Sequence, residues 1–194
     1  MYTDIMAERR LVPIFVEDSR GSRFLIFSVP LPNRPPVFMC RKVPKYGTDK
    51  SGVVVVDSKK FLQLWRNDRH GIHVEQANGC PEIWQKERKY PAATNRFSHG
   101  YDNPVPLAYV SFGKGDRSII SYKFLWFGRG ERQEQFHYVK FTNGVTRTIW
   151  LLSHGCAAFP VECEMPGAQE LHRMAAAPET PFYTIGELAS RYRN

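Results

Sequence analysis

One segment of this chain constrains the fold more than any other. Residues 141–163 combine an apolar β-type stretch, an Asn-Gly turn, an apolar helical stretch, a glycine and a second β-type stretch. Gly144 permits a sharp change of backbone direction before the helical stretch Val145–His154, and Gly155 supplies the glycine at which such helices commonly end. The pattern therefore predicts strand, turn, helix and strand in immediate succession.

The turn of this segment is expected to bind an anion. Backbone N–H groups in the first helical turn lack intrahelical acceptors, and the helix dipole favours negative charge beside them. Thr146 adds a hydroxyl, and Arg147 adds a guanidinium that can hold a phosphate through two parallel hydrogen bonds. The predicted phosphate- and nucleotide-binding residues are Asn143, Gly144, Val145, Thr146, Arg147 and Thr148. The alternative is a β-turn before a structural helix, with Arg147 paired to an acid.

The same segment resembles the signature of the ParB/sulfiredoxin superfamily: Asp/Glu/Asn-Gly-x-x-Arg after a strand, an apolar helix, a glycine and a strand that opens with Pro-Val. Here these positions are Asn143-Gly144-Val145-Thr146-Arg147, Ile149-Trp150-Leu151-Leu152, Gly155 and Phe159-Pro160-Val161. The resemblance implies an α+β fold with a mixed sheet and flanking helices. Val145 and Thr146 stand where sulfiredoxins need a cysteine, which argues against sulfur-reducing chemistry.

Within the superfamily, the form Phe-x-Asn-Gly-x-Thr-Arg-Thr-x-Trp-Leu, followed by His-Gly and Phe-Pro-Val-Glu, is most similar to plasmid fertility-inhibition (oncogenic-suppression) proteins. That resemblance implies a plasmid-encoded protein that blocks conjugative or T-DNA transfer through a type IV secretion system by ATP hydrolysis and DNA cleavage. ATP would be the substrate, accompanied by a divalent cation such as Mg²⁺. The implied partners are the transferred DNA and a type IV coupling protein or relaxosome, in the bacterial cytoplasm or at the inner-membrane face.

Two other functions stay open at this point. One is a non-catalytic nucleotide- or DNA-binding module that inhibits transfer by binding a coupling protein or relaxosome. The other is a scaffold without a ligand, in which Arg147 serves only as an ion-pair partner.

Hydrolysis of a phosphate bond needs charge neutralisation and a positioned water, so the expected catalytic residues are Arg147 and an acid. Glu134 is the preferred base or metal ligand because its segment leads into the strand before the turn. A solvated glutamate in Glu-Arg-Gln-Glu is the ordinary alternative, and the role of Glu162, just past Pro160, is equally open.

Cations beside glycines or aromatic residues are the expected DNA contacts, and the net charge of +8 favours a polyanionic partner. Arg129 and Arg132 lie in a predicted glycine-containing loop at residues 128–132. Lys86, Arg88 and Arg96 alternate with Trp84, Tyr90 and Phe97, a pattern that suits stacking on single-stranded bases. A charged helix face above core aromatics is the alternative.

The chain is predicted to form a single domain over residues 1–194, with strands and a helix at about 10–66, a variable loop region at about 67–105 and the superfamily core at about 104–175. The expected elements are a hairpin at 11–16 and 23–29, a break at the prolines of 30–36, strands at 37–43 and 53–56, and helices at 59–66 and 81–89. A second hairpin is expected at 107–112 and 118–127 around a turn at Gly113–Asp116, and terminal helices at 168–177 and 185–193.

The sequence also argues against several classes of protein. Its apolar runs are too short to span a membrane, and its N-terminus does not have the pattern of a secretory signal. Four cysteines without a Cys-x-x-Cys pair indicate reduced thiols rather than a disulfide framework or a zinc site.

Overall fold

A computed structural model describes residues 11–46, 48–122 and 129–192, which form two β-sheets with flanking helices. The strands are β1 Pro13–Glu17, β2 Arg23–Leu31, β3 Arg34–Val43, β4 Ser51–Asp57, β5 Val105–Pro106, β6 Ala108–Tyr122, β7 Arg129–Asn143, β8 Ala158–Glu164 and β9 Tyr183–Thr184. The helices are α1 Ser58–Arg66, α2 Val74–Ala77, α3 Pro81–Trp84, α4 Tyr90–Phe97, α5 Val145–Ser153, α6 Gly167–Ala175 and α7 Ile185–Arg191. Short 3₁₀ turns lie at Thr48–Lys50 and Gly100–Asp102.

The sheets are mixed, as the predicted α+β class requires. The first has the order β1-β2-β3-β5, with β5 parallel to β3 and the other pairs antiparallel. The second has the order β7-β6-β8-β4-β9, in which only β6 and β8 run parallel. One buried cluster unites both sheets, because it contains Leu25 and Met39 of the first together with Val54 and Phe159 of the second.

Strand β4 and helix α1 form as the sequence predicts. The four consecutive valines of β4 are all buried, as expected for a strand covered on both faces. Asp57 then caps α1, since its side chain accepts hydrogen bonds from the backbone N–H groups of Lys59 (3.0 Å) and Lys60 (2.9 Å). The first hairpin, α5, β8 and the two terminal helices are also confirmed.

The expected break at residues 30–36 is wrong. Pro30 lies within β2 and Pro35 and Pro36 lie within β3, so that only a tight turn at Pro32-Asn33 interrupts the chain. The β2–β3 register shifts between Val29 and Leu31, where Pro30 has no N–H to contribute to the ladder.

The region 67–105 is not mainly a loop, because it contains α2, α3 and α4, and α3 ends at Trp84 instead of residue 89. These helices are too short to show periodicity; α3 and α4 pack on α5, and α2 packs on α1. The indole ring of Trp150 in α5 stacks on the Phe97 ring of α4, with ring centroids 4.2 Å apart. The hydroxyl oxygens of Tyr90 in α4 and Ser153 in α5 lie 2.6 Å apart.

The predicted second hairpin has its turn in the wrong place. Residues 113–116 continue β6, which pairs with β7 from Tyr109↔Asn143 to Tyr122↔Arg129. The two glycines that suggested a turn lie beneath aromatic rings of β7 instead. Residues 129–132, predicted as a loop, belong to β7, while 123–128 lie outside the described residues.

Among the described residues, no helix is both long enough and apolar enough to cross a membrane. The four cysteines are free thiols, and burial raises the pKa of Cys156 and of Cys163 to about 11. Within the described ranges, no cluster of three or more His, Cys, Asp or Glu side chains is arranged to hold a metal ion.

Replacing Phe61 by alanine is expected to lower the free energy of unfolding by about 3–5 kcal/mol. The Phe61 ring is fully buried and makes edge-to-face contacts with Phe141 and Phe159, so truncation leaves a cavity where α1 packs on the sheet. Urea unfolding measures the change. Lys60→Ala on the exposed face of α1 is the control, expected to change stability by less than about 0.5 kcal/mol; a similar loss in both variants would contradict the prediction.

Candidate phosphate-binding site

A glycine with a left-handed backbone joins β7 to α5. Gly144 has φ 97°, and a Cβ atom at this position would lie 2.6 Å from the Cβ of Ala108 and 2.8 Å from Nε of Arg147. The first helical hydrogen bond runs from the Thr148 N–H to the Gly144 carbonyl (3.0 Å), and no side chain caps the helix. The N–H groups of Val145, Thr146 and Arg147 are therefore the unpaired donors of the first turn.

The guanidinium of Arg147 is clamped between the ends of three strands. Its Nη1 donates to the Pro106 carbonyl oxygen (2.5 Å) and its Nη2 donates to Oδ1 of Asn143 (3.0 Å). The same Asn143 oxygen accepts a hydrogen bond from the Tyr109 N–H (3.2 Å). The orientation of Arg147 is thus fixed from β5, β6 and β7 at once.

A cavity of about 630 Å³ borders Arg147 on the side of α2 and α4. Its wall contains four of the chain's cations, Arg88, Lys89, Arg96 and Arg147, together with the turn Asn143–Thr146. Glu87 is the only carboxylate among the described lining residues, and its Oε1 accepts a hydrogen bond from Nε2 of Gln76 (2.9 Å). The cavity therefore carries an excess of positive charge.

Within the described part of the chain, no carboxylate compensates the charge of Arg147. Among the ion pairs of the described residues, none includes Arg147. Burial lowers the pKa of the Arg147 guanidinium, and the positive charge of Arg96 lowers it further. A bound anion would offset both effects, because an opposite charge close to the guanidinium stabilises its charged form. The open alternative of Arg147 as an ion-pair partner finds no support in this geometry.

A second cavity, of about 510 Å³, lies on the other side of Arg147 and Asn143. Its other charged lining residues are Arg41, Lys42, Lys50, Glu162 and Glu164. Glu162 is buried and accepts a hydrogen bond from the Ser51 hydroxyl (2.8 Å). Its Oε2 also lies 2.6 Å from Nε of Arg41. This contact is an ion pair, but the Nε–H of Arg41 is not aligned for a hydrogen bond. Glu162 consequently links β3, β4 and β8 and is occupied structurally.

The structure brings most of the predicted phosphate-binding residues together. Asn143, Gly144, Val145, Thr146 and Arg147 line the first cavity, and Arg88 and Arg96, predicted separately as DNA contacts, lie in the same wall. Thr148 is an exception: it is 1% exposed, its N–H is used within the helix, and it lines neither cavity beside Arg147. Its inclusion in the site is wrong because position 148 lies on the buried face of α5.

The predicted position of Glu134 beside Arg147 is also wrong. Glu134 lies in β7, nine residues before Asn143, which corresponds to about 30 Å of extended strand. It lines neither cavity, and its carboxylate binds Arg117 of the paired strand, with Arg117 Nε 2.7 Å from Oε2. The expectation failed because the segment 129–134 is part of a long strand and not a loop folded over the site.

The remaining predicted DNA contacts are dispersed. Lys86 is exposed but lines neither cavity, and Arg132 lies exposed on β7. The side chain of Arg129 lies outside the described residues. The predicted stacking of bases on Trp84, Tyr90 and Phe97 is wrong, because all three rings are buried in the protein core.

Sequence reasoning did not identify Glu87 or the basic wall of the second cavity formed by Arg41, Lys42 and Lys50. Glu87 lies within a run of charged residues that gives no periodic signal. All three lie about a hundred residues before Arg147 in the chain, so only tertiary packing brings them to it.

Comparisons with known proteins agree on one family. The family model described as Plasmid Fertility inhibition factor matches residues 53–176, which include β4 and α1 as well as the whole Arg147 turn. Protein osa of Shigella flexneri is 32% identical over 139 residues, which cover 71% of this chain and 60% of that protein. The chain thus matches about 60% of the length of this curated relative.

A solved structure has the same fold. The crystal structure of Oncogenic Suppression Activity Protein, a plasmid fertility inhibition factor determined as a gold(I) cyanide derivative, superposes with a TM-score of 0.67. The sequence identity is 25%, and the match covers 97% of this chain and 86% of the other.

Replacing Gly144 by alanine is expected to destabilise the protein by about 1–3 kcal/mol, because alanine disfavours the positive φ and its Cβ would overlap Ala108 and Arg147. Pyrophosphate binding, measured by calorimetry, should weaken in parallel as Arg147 is displaced. Gly100→Ala is the matched control: Gly100 also has positive φ (65°), but nothing lies within 4 Å of its added Cβ. Equal effects of the two substitutions on pyrophosphate affinity would contradict the close approach at Gly144.

Proposed function

The chain belongs to the plasmid fertility inhibition factor family, and we propose that it blocks conjugative or T-DNA transfer by hydrolysing ATP and cleaving DNA at the Arg147 site. One observation carries the proposal: Arg147, clamped and without a carboxylate partner, faces Arg96, Arg88 and Lys89 across a single cavity. A polyphosphate or DNA backbone is the anion that would neutralise several cations at once.

The cavity has the size and the donors that a nucleotide needs. Its volume of about 630 Å³ is in the usual range for small-molecule sites. Residues 144–147 all line this cavity, so we place the terminal phosphate beside the first-turn N–H groups and the guanidinium of Arg147.

In hydrolysis, a water oxygen forms a bond to phosphorus while the bond to the leaving oxygen breaks. Negative charge grows on the phosphoryl oxygens and on the leaving oxygen, and fixed cations stabilise it. Arg147 suits this role because its clamp to Pro106 and Asn143 orients it before substrate arrives. We assign Glu87 as the residue that orients the water and accepts its proton, in place of Glu134.

A divalent cation such as Mg²⁺ belongs to the proposal as a companion of ATP. Mg²⁺ in nucleotide sites is commonly held by one or two carboxylates together with the substrate phosphates. Glu87 is the single described carboxylate of the cavity wall and is assigned to the water, so the cation would be held mainly by the substrate phosphates and its own water molecules. When bound, the cation would neutralise phosphate charge in addition to the arginines.

The partners are proposed on the same basis. The transferred DNA strand would be the cleaved substrate, and a type IV coupling protein or relaxosome at the cytoplasmic face of the inner membrane would bring the protein to it. Family membership supports inhibition of plasmid transfer as the outcome.

A non-catalytic module that binds nucleotide or DNA and occupies the transfer machinery is the second candidate. It is favoured by the scarcity of acids in the first cavity, where Glu87 is already engaged by Gln76. The two candidates differ in whether substrate is consumed, which the following experiment determines.

Arg147→Ala is expected to lower the rate of ATP hydrolysis by about 100- to 1,000-fold, because the variant lacks the positive charge that stabilises the negative charge developing on the phosphoryl oxygens. Arg147→Lys should retain an intermediate rate, since a lysine supplies charge without the two-point clamp. Phosphate release with Mg²⁺ present measures the rate, and Arg20→Ala in the β1–β2 turn is the exposed control. A rate unchanged by Arg147→Ala would refute the assignment.

Glu87→Gln separates the two candidates. For an enzyme, it should lower hydrolysis about 100-fold while leaving the dissociation constant for ATP within a few-fold, because the amide keeps the shape but cannot accept a proton. Wild-type protein that binds ATP tightly yet releases no phosphate would instead establish the binding module.

A further inference from the structure

A two-stranded ribbon extends from the second sheet. Strand β6 pairs with β8 only at Ala108–Val110, whereas its pairing with β7 continues to Tyr122↔Arg129. Beyond position 110 the two strands therefore have no third strand beside them among the described residues.

The two faces of this ribbon differ. One carries Phe112, His137 and Val139, and near its base it packs on α6, since a Cβ on Gly167 would touch Phe112 at 3.4 Å. The other face carries Gly113, Gly115 and Arg117 on β6 opposite Tyr138, Phe136 and Glu134 on β7. This second set of six residues is called here the aromatic face.

The rings of the aromatic face lie flat across glycines. A Cβ on Gly113 would be 2.6 Å from the Tyr138 ring, and one on Gly115 would be 2.9 Å from the Phe136 ring. The ring centroids are 5.8 Å apart, and both residues are partly exposed. The glycines thus allow two aromatic rings to lie side by side on the surface.

Cations flank the two rings. Lys140 Nζ lies 4.9 Å from the centroid of Tyr138, and the Arg117 guanidinium carbon lies 5.9 Å from that of Phe136. The order along the face is therefore cation, ring, ring, cation, with Glu134 bound to Arg117 and Asp68 3.9 Å from Lys140. Aromatic rings accompanied by cations are typical of surfaces on which nucleic-acid bases stack.

The aromatic face leads to the second cavity, which Arg147 shares with the proposed active site. Tyr109 lies on the same side of β6 as Gly113, about 13 Å nearer its start, and it lines the second cavity with Arg147. Arg41, Lys42 and Lys50 surround that cavity. A strand that stacks on Phe136 and Tyr138 would pass Tyr109 and reach Arg147 through this cavity, whose wall also carries Glu162 and Glu164.

We propose that the aromatic face binds single-stranded DNA, with successive bases stacked on Phe136 and Tyr138 and the phosphates directed by Lys140 and Arg117 towards the second cavity. The inference rests on the proposed function and names the form of its DNA substrate. Duplex DNA fits less well, because its bases are already stacked on each other and present no free ring face. A protein partner fits less well too, because lysine and glutamate are depleted at the centres of protein interfaces.

The double variant Phe136→Leu/Tyr138→Leu tests the proposal, with binding of labelled oligothymidylate measured by fluorescence anisotropy. An oligomer of equal length built from abasic sites carries the same phosphates without bases. We expect the variant to bind oligothymidylate about 10- to 100-fold more weakly and the abasic oligomer with unchanged affinity. Gln133→Leu/Gln135→Leu, on the opposite face of the same strand, is the matched control and should bind both as the wild type does.

Phe136→Tyr/Tyr138→Phe exchanges the two rings and should retain wild-type binding, which tests stacking even if the leucine variant unfolds. The proposal is overturned if the leucine variant binds oligothymidylate normally, if the abasic oligomer loses affinity equally, or if duplex DNA binds more tightly than the single strand. It is overturned as well if the variant loses transfer inhibition with DNA affinity intact, which would indicate protein docking.

ATP hydrolysis by the wild-type protein separates this inference from the proposed function. Absence of hydrolysis alongside base-dependent binding would refute the enzyme and support the aromatic face. If hydrolysis depends on Arg147 but the thymidylate and abasic oligomers bind equally well, the enzyme is supported and base stacking on the aromatic face is refuted.

Discussion

The clamp on Arg147 is the interaction on which the rest of the candidate site depends. Two of its donors are spent on the Pro106 carbonyl and Asn143, which fixes the guanidinium between two cavities. The clamp requires Gly144, because the bend presses against Ala108 and leaves no space for a side chain. A single backbone conformation thus aligns the ends of β5, β6 and β7 with the start of α5.

Burying that charge without a carboxylate has a cost, and the protein adds to it by placing Arg96 nearby. A structural arginine would ordinarily be paired, as Arg41 is with Glu162 only one cavity away. The contrast between these two arginines is the clearest physical sign that a ligand supplies the missing charge. It also explains why family resemblance and geometry point to the same residue.

Two incorrect expectations, the turn at 113–116 and the position of Glu134, share one cause. Glycines at 113 and 115 suggested a turn, yet each serves as a platform for a ring of the neighbouring strand. Because β6 continues through both glycines, its partner β7 is equally long, and Glu134 lies far from Arg147 along that strand. The aromatic residues expected to stack on bases, such as Trp84, are core residues, whereas Phe136 of the ribbon remains partly exposed.

The family resemblance implied the mixed α+β class. The sequence by itself determined the buried valine strand β4, the cap of α1 and the glycine turn that places Arg147 in the first turn of α5. These features depend on neighbours in the chain: backbone conformation, capping and hydrophobic runs are local properties. Only the tertiary structure decided that Arg96 and Glu87 share a cavity with that turn, that Glu134 does not, and that the ribbon has an aromatic face. Those relations depend on packing between segments far apart in sequence, which no local pattern encodes.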